Sequence, residues 1–234
     1  MKAMILAAGK GTRMSEITKD EISKLLLPIK GVPMIQYQIE KLKEIGIRDI
    51  CMNLHFKPES LKEFLGDGSK FGVKIYYNYE PELLGTSGSL LAFKDILNET
   101  FFVIYGDVIH DMDLKKLHDF HKQRQAKATL VVHKSSHPED SDIAEIEGDK
   151  IVTLHHKPGT REFGDMGNAA LYVVEPVIFK YLPQGKSDFI KDVFPKMLEA
   201  GGKVCAYNTN EFIKDTGTPE RLTQVQQYLK EPKN

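Results

Sequence analysis

The residues best suited to chemistry in this chain are cations gathered around a glycine-rich stretch and acids placed at the ends of apolar runs. The run Ile5-Leu6-Ala7-Ala8-Gly9-Lys10-Gly11-Thr12-Arg13-Met14 delivers an apolar segment into a loop with two glycines, a lysine, a hydroxyl and an arginine, and Lys24 follows. Glycines at 9 and 11 can take positive φ and bring backbone N–H groups close to an anion. Thr12 can donate from its hydroxyl, and the Arg13 guanidinium can grip two phosphate oxygens at once. Such a loop suits phosphate. A plain glycine turn with a solvated basic rim is the alternative that the local sequence leaves open.

Two common phosphate loops do not fit. No GxxxxGK[ST] spacing occurs, and a GxGxxG fingerprint fails because Met14 stands where its third glycine belongs. The acids lie far away in sequence. Phe101-Phe102-Val103-Ile104-Tyr105-Gly106-Asp107 ends a buried-looking strand on a carboxylate, which is costly unless solvent, a cation or a hydrogen bond receives it. Asp215 follows the apolar pair Phe212-Ile213, and Thr218-Pro219-Glu220 behind it reads as the cap and first turn of a helix.

Elements that must hold these groups can be read from periodicity. Ile35, Ile39, Leu42 and Ile45 share one face of a helix begun at Pro33 and closed by Gly46. Strands are expected over 47–54, through Val73, Ile75 and Tyr77, and over 101–108, 128–132, 168–173 and 203–207. Ile143–Ile146 and Ile151–Leu154 form a hairpin around Gly148-Asp149. Helices are expected over 58–65, 90–97, 113–126 and 187–200. Strands alternating with helices at this spacing imply an α/β fold, a Rossmann-like, mixed and mostly parallel sheet with helices on both faces in three layers. Ligands of such sheets bind beyond the carboxyl ends of the strands, which is where the opening loop falls.

The stretch LAAGKGTRM, with Lys24, Leu27-Pro28 and Gly31-Val32-Pro33-Met34-Ile35-Gln36-Tyr37, resembles the sugar-1-phosphate nucleotidyltransferases, also called nucleotide-sugar pyrophosphorylases. The resemblance implies the nucleotide-diphospho-sugar transferase fold over residues 1–234 as a single catalytic domain. Arg13 and Lys24 would be catalytic, and Asp107 and Asp215 would hold Mg²⁺. Leu6, Ala8, Gly9, Gly11, Thr12 and Gly106 would surround the nucleotide, together with Glu80 and the Gly85-Thr86-Ser87-Gly88 segment that resembles the family's base-binding stretch. Lys157 in His156-Lys157-Pro158 would hold the sugar phosphate, and Asn168 in Asn168-Ala169-Ala170 a sugar hydroxyl. His156 and Ala170 depart from the Glu and Gly usual at their positions.

The reaction implied is attack of a sugar 1-phosphate oxygen on the α-phosphorus of a nucleoside triphosphate, releasing pyrophosphate. The nucleophile is already an anion, so no catalytic triad is needed and none is seen. The combination of GTSG, His137-Pro138-Glu139-Asp140-Ser141-Asp142 and Lys214-Asp215-Thr216-Gly217-Thr218-Pro219 looks closest to bacterial mannose- or heptose-1-phosphate guanylyltransferases, which implies GTP. UTP, CTP or dTTP stay open, as do a CTP-using enzyme for a choline-type acceptor, for which Phe163 and Tyr172 would supply aromatic rings, and a sugar-nucleotide-binding module without turnover.

Composition narrows the classes. A net charge of -1 argues against a nucleic-acid partner. No apolar run approaches eighteen residues, and Met1 leads straight into a strand, so neither a membrane span nor a signal peptide is expected. Cys51 and Cys205 sit singly in expected strands, which suits buried thiols in a cytoplasmic protein. His133, His137, His155 and His156 fit no common zinc spacing. Self-association into a homo-oligomer stays open.

Overall fold

The computed structural model describes residues 1–230. In chain order the strands are β1 (Lys2–Leu6), β2 (Pro28–Ile29), β3 (Val32–Pro33), β4 (Asp49–Leu54), β5 (Lys74–Tyr79), β6 (Phe101–Tyr105), β7 (Val108–His110), β8 (Ala128–Lys134), β9 (Asp142–Glu147), β10 (Lys150–His156), β11 (Met166–Val174), β12 (Val204–Asn208) and β13 (Ile213–Asp215). The α-helices are α1 (Ser15–Thr18), α2 (Met34–Glu44), α3 (Pro58–Leu65), α4 (Leu114–Arg124), α5 (Phe194–Glu199) and α6 (Pro219–Lys230). The fold is α/β, as expected. The chain divides into two compact units.

The first unit, which carries the glycine-rich loop, comprises Ile5–Glu82, Tyr105–Met112 and the chain from Glu211 onward. Strands β4 and β5 pair in parallel from Asp49↔Lys74 to Leu54↔Tyr79, and β13 pairs antiparallel with β7, setting Asp215 opposite Val108. The apolar face read on α2 is real: Ile35, Ile39 and Leu42 are fully buried. A second apolar cluster joins Met14, just past the loop, to Leu27, Ile29, Met34, Ile109, Leu222 and Val225. The loop therefore ends on a packed anchor.

The second unit comprises Met1–Met4, Leu83–Ile104 and Asp113–Asn210. Its strands run in the order β6-β11-β8-β12-β10-β9, and β9 returns to pair with β11 as well. Strand β12 is parallel to β8, whereas β11 is antiparallel to β6, β8 and β9. The hairpin of β9 and β10 forms as read from the sequence. Its aromatic core is Tyr172, Phe189 and Phe194, with Tyr172 edge-on to both phenylalanines at 5.3 and 5.2 Å between ring centres.

Three elements differ from expectation for local reasons. The segment read as a helix over 90–97 is a 3₁₀ turn, Gly88–Phe93. The helix read over 187–200 is a π turn, Phe189–Val193, followed by α5. Pro195 lacks the N–H that a continuous helix would use there, and it sits instead in the first turn of a restarted helix. The strand read through Val108 breaks at Gly106-Asp107, where Gly106 N–H turns aside to donate to Leu6 O at 3.0 Å.

His110 on β7 is buried, and among the described residues neither ring nitrogen has a hydrogen-bond partner. Burial, aided by the Lys41 charge and opposed by Asp111, pushes its pKa down to about 4 from 6.5. Above 6.5 the imidazole is neutral in folded and unfolded chains alike, so it adds no pH dependence. Between 6.5 and about 4 only the unfolded chain takes up the proton, so stability falls with falling pH, by about 3 kcal/mol in all. Denaturant titrations across that window should show this loss in the wild type, and the variant His110→Leu should lack that component.

Candidate active site

The glycine-rich loop is fixed by backbone hydrogen bonds. Ala7 N–H donates to Asn53 Oδ1 at 2.8 Å, and Asn53 Nδ2 donates to Glu80 Oε1 at 2.8 Å. Asn53 and Glu80 are both almost fully buried, so Glu80, read from the sequence as a nucleotide-binding residue, sits behind the loop and supports it through Asn53. Leu6 is half-buried and Ala8 buried, while Gly9 and Thr12 lie exposed at the rim. Only one of the two glycines needs to be one for its backbone. Gly11 takes φ 63°, in the left-handed region, whereas Gly9 has no positive φ. Gly11 N-caps the short turn Thr12–Met14 that presents Arg13.

Lys24 begins a second short turn, whose cap is Ser23: its hydroxyl accepts from Leu25 N–H at 3.4 Å. The lysine side chain runs under the loop, since a Cβ placed on Gly11 would lie 3.1 Å from Lys24 Cδ. Its Nζ ends in an ion pair with Asp107 Oδ2, eighty-three residues later. The Asp107 carboxylate, stranded at the end of an apolar strand, thus has its cation. Gly106 before it must lack a side chain, because a Cβ would meet Leu25 Cδ1 at 2.8 Å and Leu6 O at 3.0 Å.

The last segment comes in beside these. Thr216 N–H donates to Asp107 O at 2.8 Å, which extends the β7–β13 ladder by one step and brings the backbone just after Asp215 against Asp107. Arg221 Nη1 lies 2.8 Å from both oxygens of Asp215, and Gly217 N–H donates to Asp215 Oδ1 at 3.0 Å. A Cβ on Gly217 would come 3.0 Å from Arg13 Nη2, which places the guanidinium of the opening loop against this turn. Within one unit, then, Lys24 meets Asp107, Arg13 lies against the turn that holds Asp215, and the Thr216–Asp107 backbone bond ties the two contacts together. Arg221 was not expected; as the third residue after the Thr218 cap, whose hydroxyl receives Arg221 N–H at 3.3 Å, it is turned back toward Asp215.

The two carboxylates are donors of the type a hard divalent cation takes. Two carboxylates are hard oxygen donors, and Mg²⁺ is usually held by one or two of them together with substrate phosphates and water. Among the described residues no group of three or more His, Cys, Asp and Glu is arranged to hold a metal by itself.

The remaining expected residues lie in the second unit. Gly85 has φ 78°, and a Cβ there would collide with the Ser187 carbonyl oxygen. Ser87 N–H donates to that same oxygen at 3.1 Å, and a Cβ on Gly88 would collide with Gly185 O. The glycines of this segment thus serve a close backbone approach to residues 185–187. Thr86 Oγ1 donates to Asp188 Oδ2 at 2.7 Å and accepts from Phe189 N–H at 3.0 Å.

Lys157, just past the end of β10, takes φ 42°, an uncommon conformation for a residue with a side chain. Asn168 Nδ2 donates to the Tyr172 hydroxyl at 2.9 Å, and its Oδ1 accepts from Ala170 N–H at 3.2 Å. These bonds span the irregular stretch of β11 between Asn168 and Tyr172. Ala170 within it takes φ 56°, the physical reason a glycine would be at ease here. Ala170→Gly should raise stability by about 0.5–1 kcal/mol, read as a higher urea midpoint at unchanged slope.

His155 stacks on Phe163 at 3.8 Å between ring centres and bonds Glu145 Oε1 at 2.8 Å. His156 Nδ1 lies 2.7 Å from Asp142 Oδ1. Both cysteines are buried, as expected, and no helix among the described residues is long and apolar enough to cross a membrane.

The nucleotidyl transferase family model matches residues 2–231. A Synechocystis protein named UTP–glucose-1-phosphate uridylyltransferase is 33% identical over 93% of this chain and 60% of its own length. An Arabidopsis thaliana protein named mannose-1-phosphate guanylyltransferase 1 is 32% identical over 98% of this chain and 65% of its own. The chain thus spans about three-fifths of the length of the curated relatives it matches. Among solved structures, a Bacillus anthracis chain described as a glucose-1-phosphate thymidylyltransferase superposes with TM-score 0.88 at 25% identity, covering 100% of this chain and 97% of that one. With the family's sequence pattern running through residues 2–231 and its fold in place, this chain belongs to the nucleotidyl transferase family.

Proposed function

We propose that this chain transfers a nucleotidyl group from a nucleoside triphosphate, GTP by preference, to a sugar 1-phosphate, giving a nucleoside diphosphate sugar and pyrophosphate. The observation that carries the reading is that Lys24 pairs with Asp107 and Arg13 lies against the turn of Asp215, both beside the glycine-rich loop and tied by the Thr216–Asp107 backbone bond. Two polyanions must be brought together here, and negative charge moves toward the leaving group as the bond between the α- and β-phosphates breaks. An oxygen of the sugar phosphate forms the new bond to the α-phosphorus, and the electron pair leaves with pyrophosphate. No general base is required.

Arg13 and the amides of residues 9–13 would bind the departing pyrophosphate. Lys24 would align the triphosphate, and Lys157 in the second unit would hold the acceptor phosphate, with Asn168 beside the sugar. Asp107 and Asp215 would hold Mg²⁺, which supplies charge neutralisation at the phosphate oxygens. The whole 234 residues act in this reading as one catalytic domain.

The guanylyl preference rests on the GTSG segment and on the Arabidopsis relative. UTP is the first alternative, because the Synechocystis relative is as similar and is named for that nucleotide. Tyr172 is fully buried, so its ring does not stand open to cage a cationic head group, which favours a sugar acceptor over a choline-type one. The test is label transfer. Incubation of the chain with Mg²⁺, a sugar 1-phosphate and each triphosphate labelled at the α-phosphate should move label into a nucleoside diphosphate sugar. Label that stays in the triphosphate in every pairing contradicts the reading.

A further inference from the structure

Asp215 is met by more positive charge than it can balance. Arg221 Nη1 lies 2.8 Å from both of its carboxylate oxygens. Arg13 Nη2 and Asp215 Oδ1 lie 3.0 and 2.9 Å from one point, the place where Gly217 would carry a Cβ. The other acid of the candidate metal site, Asp107, is already neutralised by Lys24. Glu220, beside Arg221 in the chain, does not redress the balance, since it is exposed and its carboxylate bonds Thr218. Arg13, Lys24 and Arg221 thus stand as three cations against two acids.

Arg221 is held there by its helix. Leu222 and Val225 of α6 are buried in the cluster that includes Met14, directly after Arg13. Near the other end of α6 the Tyr228 ring stacks on Phe212 at 3.6 Å between ring centres. The Tyr228 hydroxyl donates to Asp111 Oδ2, and Phe212 N–H donates to Asp111 Oδ1 at 2.9 Å. The arginine meets Asp215 through one nitrogen that bridges both oxygens, as a point charge does, and not through the two-nitrogen fork by which a guanidinium fixes the plane of a carboxylate. With 40% of its side chain exposed, incoming ions can reach it.

We infer that Arg221 sets the order in which ligands fill this site: it repels a free divalent cation from Asp215 and attracts the polyanion, so that Asp215 takes its metal with the triphosphate and not ahead of it. Like charges beside a carboxylate weaken its hold on a further cation, and the same charges draw in a triphosphate, whose negative charge offsets them. The inference rests on the reading of Asp107 and Asp215 as the acids that hold Mg²⁺ beside the triphosphate. It gives a binding role to a residue that lies outside the loop and strand-end groups read from the sequence.

The experiment measures binding and not turnover. Mn²⁺, a paramagnetic stand-in for Mg²⁺, is titrated into the full chain alone, with the free ion read by electron paramagnetic resonance. Calorimetry then gives the affinity for whichever common nucleoside triphosphate the wild type binds most tightly, with a chelator and with Mn²⁺, sugar phosphate being left out. Arg221→Gln should tighten Mn²⁺ alone about three- to tenfold and weaken the triphosphate in chelator by about the same factor, and Arg221→Met should repeat both changes. Arg221→Lys, which keeps the charge, should stay within about twofold of the wild type in both. A purely structural role would weaken both ligands together, and a clamp on the plane of the carboxylate would not be restored by lysine. Either of those results, or unchanged affinities in both neutral variants, overturns the inference. Asp215→Asn tests the reading beneath it: the gain in triphosphate affinity that Mn²⁺ brings to the wild type should be lost. An undiminished gain in Asp215→Asn, or a wild type that binds no triphosphate, would remove the metal assignment itself and the inference with it.

Discussion

Replacing Asp107 by Asn lowers pyrophosphate release at saturating substrates on the order of 10²–10³-fold or more, the scale seen when a fixed charge-stabilising group is lost. Asp107 sits at the end of an apolar strand, takes the Lys24 ammonium on Oδ2, and adjoins Asp215 through the Thr216 N–H bond to its carbonyl. Asn keeps the shape and the backbone bond. It removes the charge that would hold Mg²⁺ and that fixes Lys24, so the loss falls on turnover. The ion pair is only partly buried, with side chains 14% and 19% exposed, so the variant should remain folded by circular dichroism. Arg13→Ala should fall in the same range by removing a guanidinium aimed at the leaving group. Near-normal release by Asp107→Asn would show the metal assignment to be wrong.

Gly85→Ala has the largest expected effect on folding. Its φ of 78° disfavours any side chain, and a Cβ would strike the Ser187 carbonyl oxygen, which is itself held by the Ser87 N–H. Neither partner can yield cheaply, because the clash is with backbone and the segment is tied again by the Ser87–Ser187 hydroxyl pair at 2.8 Å. Left-handed strain and overpacking together should cost about 3–5 kcal/mol, measured as a lowered urea midpoint or as insoluble expression. The same change at Gly148, which has nothing within 4 Å of a built Cβ, carries only the strain of its positive φ and should cost about 1–2 kcal/mol.

The contrast between these glycines shows where sequence reading reached its limit. The opening loop was legible because its glycines, hydroxyl and cations are adjacent, and local chemistry is what a sequence displays. That Lys24 closes on Asp107 was not, since the pair is brought together only by tertiary structure. Gly85 and Gly88 stand out in the sequence, but their packing against residues 185–187, a hundred residues away, is set by tertiary structure alone. That Asp142 faces His156 and Arg221 faces Asp215 was missed for a similar reason. A lone acid opening a short strand reads as solvated, and its register with His156 and Gly167 is set by strand pairing that no local pattern announces. The helix expected over 187–200 forms over 189–199 with its first part wound as a π turn, ahead of Pro195, which has no N–H to give to the ordinary ladder.

One measurement bears most directly on the claim that these residues form the triphosphate half of a two-substrate nucleotidyltransferase. Pyrophosphate release by the wild-type chain should be followed with Mg²⁺ while the common nucleoside triphosphates are crossed with a panel of sugar 1-phosphates. The account expects release that requires both substrates, is strongest with GTP and one hexose or heptose 1-phosphate, and is abolished by chelation of the metal. Release that proceeds without any sugar phosphate, or no release in any pairing by a folded chain, would contradict it.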